Sequence, residues 1–422
     1  MRKGLLFVGM IVGLGVGTAT AAEGIYDADP EHLWNRLHQA FFLRGDLGDQ
    51  NVDAVDPPLW PDTAEFLRAE PSLSAGIAVL TEFLDDDAQA LITDPLKRAV
   101  LQQDLWAVFD WSAALKAPPD KRLVDLQSKL AAAIHELALS HAEIAELPNN
   151  LADAAAAGHF SADYKPARPQ APFLPRDLFD PDAAWVCIRG VMPGPSAPAH
   201  VEYYHGRSPF LVFISLPGGR AATLRYLNDL NETTRKSGSR DVSALPQFPV
   251  GTKAALLRQL TVIDKAGQIQ TTALTQTLQM RVYRQVGEKV DHDKSQAAVK
   301  FRLSRQALFA GRNGGLEPIG WDEPIRVSLL NRNDIYDRDT KRTGIKTVMA
   351  SCIACHSCGG ATAHSIFTYK QDDWAPNGNL LPSNRLRLTA TLPAQESRKT
   401  ITWKTQRFEW GLLQGLMAAR RR

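Results

Sequence analysis

Residues 278–283 read Leu-Gln-Met-Arg-Val-Tyr, in which apolar side chains alternate with Gln and Arg. Successive side chains of a strand point to opposite faces of the sheet, so this alternation predicts a half-buried antiparallel strand. Residues 264–267, Asp-Lys-Ala-Gly, precede it and are typical of a hairpin loop. The middle of the chain is therefore predicted to form antiparallel sheet.

Further strands are predicted around this one from short runs rich in Val, Ile, Phe and Tyr that end at Gly or Pro turns. The predicted strand runs are 184–189, 200–205, 209–216, 255–264, 278–284, 297–305 and 324–330. We interpret residues 184–330 as a β-rich domain, either a sandwich or an open barrel. One helix, at 221–231, is expected within it.

Residues 23–160 are predicted to form an all-α domain. Asp29 and Pro30 give a helix-start signal before apolar residues at helical spacing. Residues 93–95, Thr-Asp-Pro, begin a second and stronger helical pattern. A third helix, rich in Ala and Leu, is predicted over 123–147.

Five prolines between residues 161 and 183 predict a linker or an extended arm that lies over a surface. Residues 331–422 form the last predicted segment, which is mostly helical. Its final amphipathic helix is expected from about Ser397 or Ile401 to Ala419. The buried stripe of that helix is predicted to comprise Phe408, Leu412, Leu413 and Leu416.

The composition is 44% hydrophobic and 22% charged, which is typical of a soluble globular protein. At 422 residues the chain is too long for one ordinary core. We therefore expect a multidomain α+β protein. Its expected order is an N-terminal all-α domain, a central antiparallel β-rich domain and a C-terminal mostly helical segment.

Residues 1–22 have the pattern of a secretory signal peptide. Arg2 and Lys3 precede an apolar run at 5–16, and residues 19–21, Ala-Thr-Ala, offer a small-x-small cleavage pattern. The run is shorter than the about 20 residues that a membrane-spanning helix needs. We expect the signal to be cleaved and the mature chain, without a membrane span, to be periplasmic or secreted.

Residues 352–356 read Cys-Ile-Ala-Cys-His, the C-x-x-C-H signature of covalent haem attachment. In such a site the two thiols add to the haem vinyl groups as thioethers and the adjacent imidazole binds the iron. Export supports this interpretation because c-type haem is attached outside the bacterial cytoplasm. The sequence therefore predicts one covalently bound haem c.

Around this motif the chain resembles c-type cytochromes. A helix-like stretch at 346–351 leads into the motif, and an amphipathic helix closes the chain. The resemblance covers 352–356 closely and the surrounding 331–422 loosely, and it does not extend to residues 23–330. It implies a haem pocket beneath two helices that pack across each other.

Carried over to this sequence, the resemblance makes Cys352 and Cys355 the thioether links and His356 the proximal iron ligand. In the family a Met in the loop before the last helix usually takes the sixth position. Here the Met after the motif is Met417, inside the predicted last helix, and it is one candidate distal ligand. His364, eight residues after His356, is the other.

Two further possibilities for the sixth position are open at this point. A His from the β-rich domain, His200 or His205, would complete the coordination of the iron. Alternatively, the site is open or binds water.

The chain has four Cys residues, and haem attachment would use two of them. Cys187 and Cys358 are then left as an even pair in an oxidising compartment, which predicts a disulfide between them. The alternatives are a zinc site or plain disulfides in the C-x-x-C-x-x-C run at 352–358. An iron–sulfur cluster is the weakest of these because it requires a fourth nearby Cys.

The leading functional hypothesis is single-electron transfer with an unidentified redox partner protein through a partly exposed haem edge. We assign no catalytic residue. The alternatives are a haem enzyme with an open distal site that acts on peroxide or a small ligand, and an exported non-redox binding protein. The sequence has no G-x-S-x-G or H-E-x-x-H hydrolase motif and no basic run with interleaved aromatics, so nucleic acid is not an expected partner.

Overall fold

The computed structural model describes residues 24–42, 72–114, 120–190, 194–237, 245–287, 290, 292–321 and 388–420. The predicted signal peptide, the C-x-x-C-H motif and the predicted strand at 324–330 lie outside these residues. Helices and one antiparallel sheet make up the described chain, which confirms the mixed α and β class.

The described residues contain twelve α-helices. They are α1 Leu33–Phe42, α2 Ser72–Asp85, α3 Pro95–Ala113, α4 Lys121–Glu136, α5 His141–Ala145, α6 Asn150–Ala157, α7 Pro198–Tyr203, α8 Gly219–Ser237, α9 His292–Ser295, α10 Arg305–Phe309, α11 Pro393–Thr405 and α12 Phe408–Arg420.

The start predicted for α3 is confirmed. The Asp94 side chain accepts a hydrogen bond from the Leu96 backbone N–H at 2.8 Å, and Pro95 occupies the first turn.

Seven strands of the described residues form the sheet. They are β1 Val186–Gly190, β2 Phe210–Ser215, β3 Lys253–Ile263, β4 Ile269–Tyr283, β5 Gln296–Leu303, β6 Leu316–Pro318 and β7 Leu388–Ala390. The order across the sheet is β6-β5-β4-β3-β2-β1-β7, with every neighbouring pair antiparallel. Both edges are strands of three residues, a length that gives little room for a second chain to pair.

The hairpin between β3 and β4 is confirmed. Asp264 closes it, because its Oδ1 accepts hydrogen bonds from the backbone N–H groups of Ala266 and Gln268 at 2.9 and 2.8 Å. The alternation predicted for 278–283 is also present. Leu278 and Met280 are buried, whereas Gln279 and Arg281 between them are only half-buried.

One face of the sheet packs against the helices of the N-terminal part. Leu257, Leu278 and Phe301 lie side by side on β3, β4 and β5. They belong to one continuous cluster of buried apolar side chains that includes residues of α1–α4 and α12. This cluster is the main core of the described residues.

The opposite face carries a smaller apolar cluster over β1 and β2. Ile188 and Val212 of these strands pack with Leu227 and Leu230 of α8. Helices therefore cover the first face of the sheet and, at β1, β2 and β7, part of the second. The expectation of a β-sandwich is wrong, because helices rather than a second sheet cover the strands.

The strand predicted at 200–205 is also wrong, because Pro198–Tyr203 forms α7. The aromatic residues there favour a strand by propensity. Pro198 in the first turn fits a helix start instead, and tertiary context overrides the weak preference.

Two predicted helices are each divided in the structure. In place of one helix over 123–147, α4 ends at Glu136 and α5 begins at His141. Ser140 and Glu143 form a capping box, in which each side chain accepts from the other residue's backbone N–H. That reciprocal pair begins a new helix.

The predicted C-terminal helix is α11 and α12. The stripe expected on it is correct in part, because Leu413 is fully buried while Phe408 is 72% exposed. Leu412 and Leu416 are partly buried against the main core. Phe408 begins α12, and its position in the first turn lies off the buried side.

The main core includes residues from each of the predicted parts of the chain. Phe173 and Leu174, within the predicted linker 161–183, are buried in it, and so are residues of α12. The predicted domain boundaries stay predictions. Within the described ranges, no helix is both long and apolar enough to cross a bilayer.

Candidate functional site

The predicted haem-binding residues Cys352, Cys355 and His356 lie outside the described residues, and so do His364 and Cys358. The structure does describe three other residues that sequence reasoning named, Met417, Cys187 and His200. It also describes Trp321 and Leu388, the residues on either side of the segment that contains the motif.

Met417 lies on α12 and is 3% exposed. It belongs to the main core together with Trp410 and Leu413 of the same helix, on the helix-covered side of the sheet. Its role as a distal iron ligand stays a prediction. Its observed role is to fill the core between α12 and the helices of the N-terminal part.

Cys187 is a buried free thiol on β1. Burial, together with the nearby carboxylate of Glu396, raises the pKa of this thiol to about 12. The thiol is therefore protonated at neutral pH and a poor nucleophile. The disulfide with Cys358 stays a prediction, because Cys358 is outside the described residues.

The side of the sheet opposite the main core changes from apolar to basic across its width. Val212, Leu256, Gln279 and Lys300 lie in one row across β2, β3, β4 and β5, and register partners point to the same face. Four cationic side chains share this face on β3–β5. We call these residues the basic sheet face: Arg258, Arg281, Lys300 and Arg302.

Helix α7 borders the basic sheet face and brings His200 and Tyr204 onto it. The Phe210 ring lies 5.2 Å from the ring of His200 and 5.5 Å from that of Tyr204, between centroids. The guanidinium of Arg258 stacks over the Tyr204 ring at 4.0 Å, a cation–π contact. These contacts fix the imidazole of His200 at the junction of the apolar and basic areas.

The imidazole of His200 is neutral at physiological pH. Burial, and then the positive charges of Lys300 and Arg281, lower the pKa of His200 to about 3. A neutral imidazole is the form that binds metals.

The described residues that flank the motif in sequence lie on this same side of the sheet. Trp321 packs against Ala298 of β5, whose register partner on β4 is Arg281. Leu388 of β7 is buried in the smaller apolar cluster beneath α8. Trp321 and Leu388 therefore both face the side of the sheet that carries the basic sheet face.

A second polar feature is buried within the main core. The carboxylate of Asp110 on α3 accepts hydrogen bonds from Arg207 Nη1 at 2.9 Å and from Lys404 Nζ at 2.7 Å, and all three side chains are fully buried. Burial lowers the pKa of Lys404, whereas the charge of Asp110 opposes that shift. This cluster joins α3 to the residues before β2 and to α11.

A similar cluster forms six residues earlier on α3. Asp104 pairs with Arg305, and the Tyr26 hydroxyl donates to Asp104 at 2.9 Å. Burial and the charge of Asp104 raise the pKa of Tyr26 well above its usual value. Because each carboxylate has cationic partners within the core, we interpret both clusters as structural.

Sequence reasoning missed these clusters, although a signal was present. Gln102, Gln103 and Asp104 are three consecutive polar residues inside a helix, with apolar residues at 99–101 before them and at 105–109 after them. Gln102 bonds with both backbone groups of Ile263, donating to O and accepting from N–H at 2.8 Å in each case. Polar residues in such a helix indicate buried partners.

The basic side of the sheet carries side-chain types that a haem can contact. Haem carries two carboxylates, which suit cations such as Arg281 and Lys300, and its iron accepts a neutral imidazole such as that of His200. Within the described ranges, no group of three or more His, Cys, Asp or Glu could hold a metal ion by itself.

Comparisons with protein-family models, with curated proteins and with solved structures found no match.

Proposed function

We propose that this protein is an exported c-type haem protein that passes single electrons to and from a partner protein. The observation that carries the proposal is the sequence Cys-Ile-Ala-Cys-His at 352–356. The signal-peptide pattern at 1–22 supports it, because covalent haem attachment requires export.

In this proposal Cys352 and Cys355 hold the haem through thioether bonds, and His356 is the proximal ligand. The bound haem supplies an iron that changes oxidation state by one electron. The sequence leaves Met417 and His364 as the candidate distal ligands, with His200 or His205 and an open or water-bound site as the alternatives. The ligand on the distal side sets the reduction potential and decides whether small molecules bind.

The described structure supports the proposal through charge. The basic sheet face offers cations that suit the carboxylates of a haem. Trp321 and Leu388, which flank the segment containing the motif in sequence, face the same side of the sheet.

A haem-staining denaturing gel tests the proposal. The full chain is expressed in a host that exports it and has a c-type haem maturation system, beside a known c-type cytochrome as a positive control. We expect the band to stain, because thioether bonds survive denaturation. An unstained band from well-expressed protein, with the control stained, contradicts the proposal.

Two variants make the gel specific. The double variant Cys352→Ala with Cys355→Ala should lose the stain completely. The variant Cys187→Ala, at a buried thiol outside the motif, should keep it. Equal staining of the double variant and the natural chain would mean that the haem is held elsewhere.

A further inference from the structure

Helix α12 has an outward side without a polar residue. Phe408, Gly411, Gly415 and Ala419 are exposed, and their spacing of three or four positions places them along one side of the helix. Phe408 is 72% exposed, and a Cβ at Gly411 or Gly415 would meet nothing within 4 Å. A helix that is apolar on every side is normally buried. This outward side therefore suits an interface better than it suits water.

The two polar residues within 408–419 point away from the outward side. Glu409 is 7% exposed, and its Oε1 lies 3.6 Å from Nδ1 of His205. The side chain of Gln414 donates to the backbone O of Gly267 at 2.9 Å. Both side chains are engaged with the rest of the molecule, and the outward side is left apolar.

The charges exposed around the outward side are positive. Arg398 on α11 and Arg407 just before α12 are exposed. Glu396 and Glu409, the acidic residues of the same two helices, are buried. In sequence, residues 420–422 are all Arg. Positive charge therefore flanks the outward side at both ends of α12.

We infer that the outward side of α12 is a docking surface for an anionic lipid bilayer. A helix binds there when its apolar side enters the boundary between headgroups and acyl chains and its cations contact the anionic headgroups. Phe408 supplies the largest exposed apolar side chain of this surface. No property of the haem enters this contact, which is therefore independent of the proposed function.

Size and charge favour a bilayer over a second copy of the chain. Helix α12 contains 13 residues, so it is about 20 Å long and its outward side covers on the order of 200 Å². A stable protein interface buries about 800 Å² on each partner. A pair of α12 helices would also bring like charges together, because Arg407 and Arg420 occupy the two ends whether the copies are parallel or antiparallel.

A flotation assay tests the docking surface. The mature chain is purified after export, checked by mass spectrometry, and mixed with vesicles of phosphatidylcholine alone or of phosphatidylcholine with phosphatidylglycerol. We expect the natural chain to float with the vesicles that contain phosphatidylglycerol and not with phosphatidylcholine alone. High salt should release it, because salt screens exposed charges.

Phe408→Ala tests the apolar part of the surface. It should weaken vesicle binding about threefold to tenfold, because the variant loses an aromatic side chain that enters the bilayer. Circular dichroism checks that the fold is kept, and Phe408→Trp should restore binding. Leu91→Ala is the matched control, because Leu91 is 58% exposed on a different part of the chain. It should bind as the natural chain does.

The double variant Arg421→Gln with Arg422→Gln tests the charged part. It should weaken binding to the anionic vesicles about tenfold or more. Its matched control is Arg235→Gln with Lys236→Gln, which removes the same charge from exposed positions on α8. That control should leave binding unchanged.

The lipid assignment is overturned if the natural chain floats with neither kind of vesicle or equally with both. It is also overturned if Phe408→Ala and the double Arg variant bind as the natural chain does. A dimer in sedimentation velocity that Phe408→Ala dissociates would assign the surface to a second copy instead. Binding to immobilised polyglutamate but not to vesicles would assign it to an acidic protein.

Discussion

Lys404 and Asp110 form a fully buried ion pair, with Nζ 2.7 Å from Oδ2, although 294 residues separate them in sequence. Arg207 contacts the same carboxylate oxygen at 2.9 Å. The Asp110 carboxylate therefore accepts hydrogen bonds from two buried cations.

Asp110→Asn should destabilise the fold more than Lys404→Met. The first substitution removes the charged carboxylate that both buried cations contact, which costs about 3–5 kcal/mol of the free energy of unfolding. The second leaves Asp110 paired with Arg207, and we expect a loss of about 1–2 kcal/mol. Urea unfolding of both variants measures the difference, and equal losses would show that Lys404 is as necessary as the carboxylate.

Gly206→Ala should destabilise the fold more than Gly158→Ala. Both glycines have a left-handed backbone, with φ of 74° and 71°. A Cβ at Gly206 would lie 2.8 Å from the Trp403 ring, whereas at Gly158 the nearest atom is 3.9 Å away. The left-handed strain costs about 1–2 kcal/mol at each site, and the collision with Trp403 adds about 1–3 kcal/mol.

The comparison of Gly206→Ala with Gly158→Ala needs only thermal or urea unfolding of the two variants. Fluorescence gives a second readout, because a displaced Trp403 changes its emission in the Gly206 variant alone. If both variants are destabilised equally and the Trp403 emission is unchanged, the Trp403 ring accommodates a Cβ at position 206 without loss of stability.

Truncation of Leu413 and of Phe408 distinguishes the two observed C-terminal helices from the single helix that the sequence predicts. Leu413 is fully buried, and its truncation should cost about 2–5 kcal/mol through lost contacts and a cavity. Phe408 is exposed, and its truncation should change stability by no more than about 0.5 kcal/mol. A large loss at Phe408 would contradict the division into α11 and α12.

Glu143 should contribute a stability that disappears in acid. Burial raises the pKa of Glu143, but hydrogen bonds from Ser140 and the charge of Arg98 outweigh it and bring the pKa to about 2, from 4.5. Because the folded-state pKa is the lower one, this stability is fully present above about pH 4.5 and is lost as the pH falls towards 2.

Glu143→Gln should therefore destabilise the protein by about 1–3 kcal/mol at pH 6 and by progressively less as the pH is lowered. Unfolding curves at pH 6, 4 and 3 give this trend. Glu146→Gln, at an exposed position on the same short helix segment, controls for the loss of one negative charge. A difference between Glu143→Gln and the natural protein that stays constant with pH would refute the assignment.

Elements with strong local signals were predictable from sequence. Helix α3 begins where Asp94 caps it, and the β3–β4 hairpin turns where Asp264 bonds its own loop. In both cases the side chain that determines the structure lies within a few residues of the backbone that it bonds. Such information is present in a short window of sequence.

The remaining features depend on partners that are distant in sequence. The division at Ser140 coincides with a bridge between Leu139 and Asp264, which a local pattern does not reveal. The basic sheet face needs the register of β3, β4 and β5. Arg281 and Lys300 are 19 positions apart and become neighbours through strand pairing. The sequence names His200 as a candidate ligand, but it does not reveal that the ring packs against Phe210 at the border of the basic sheet face.

The placement of α12 imposes an order on folding. Leu413 and Met417 complete a core that also contains residues of α1, so that core cannot close before the final helix is available. Residues 352–356 precede that helix in the chain. Under the proposed function, an attachment enzyme would meet both thiols while the polypeptide is still incompletely packed.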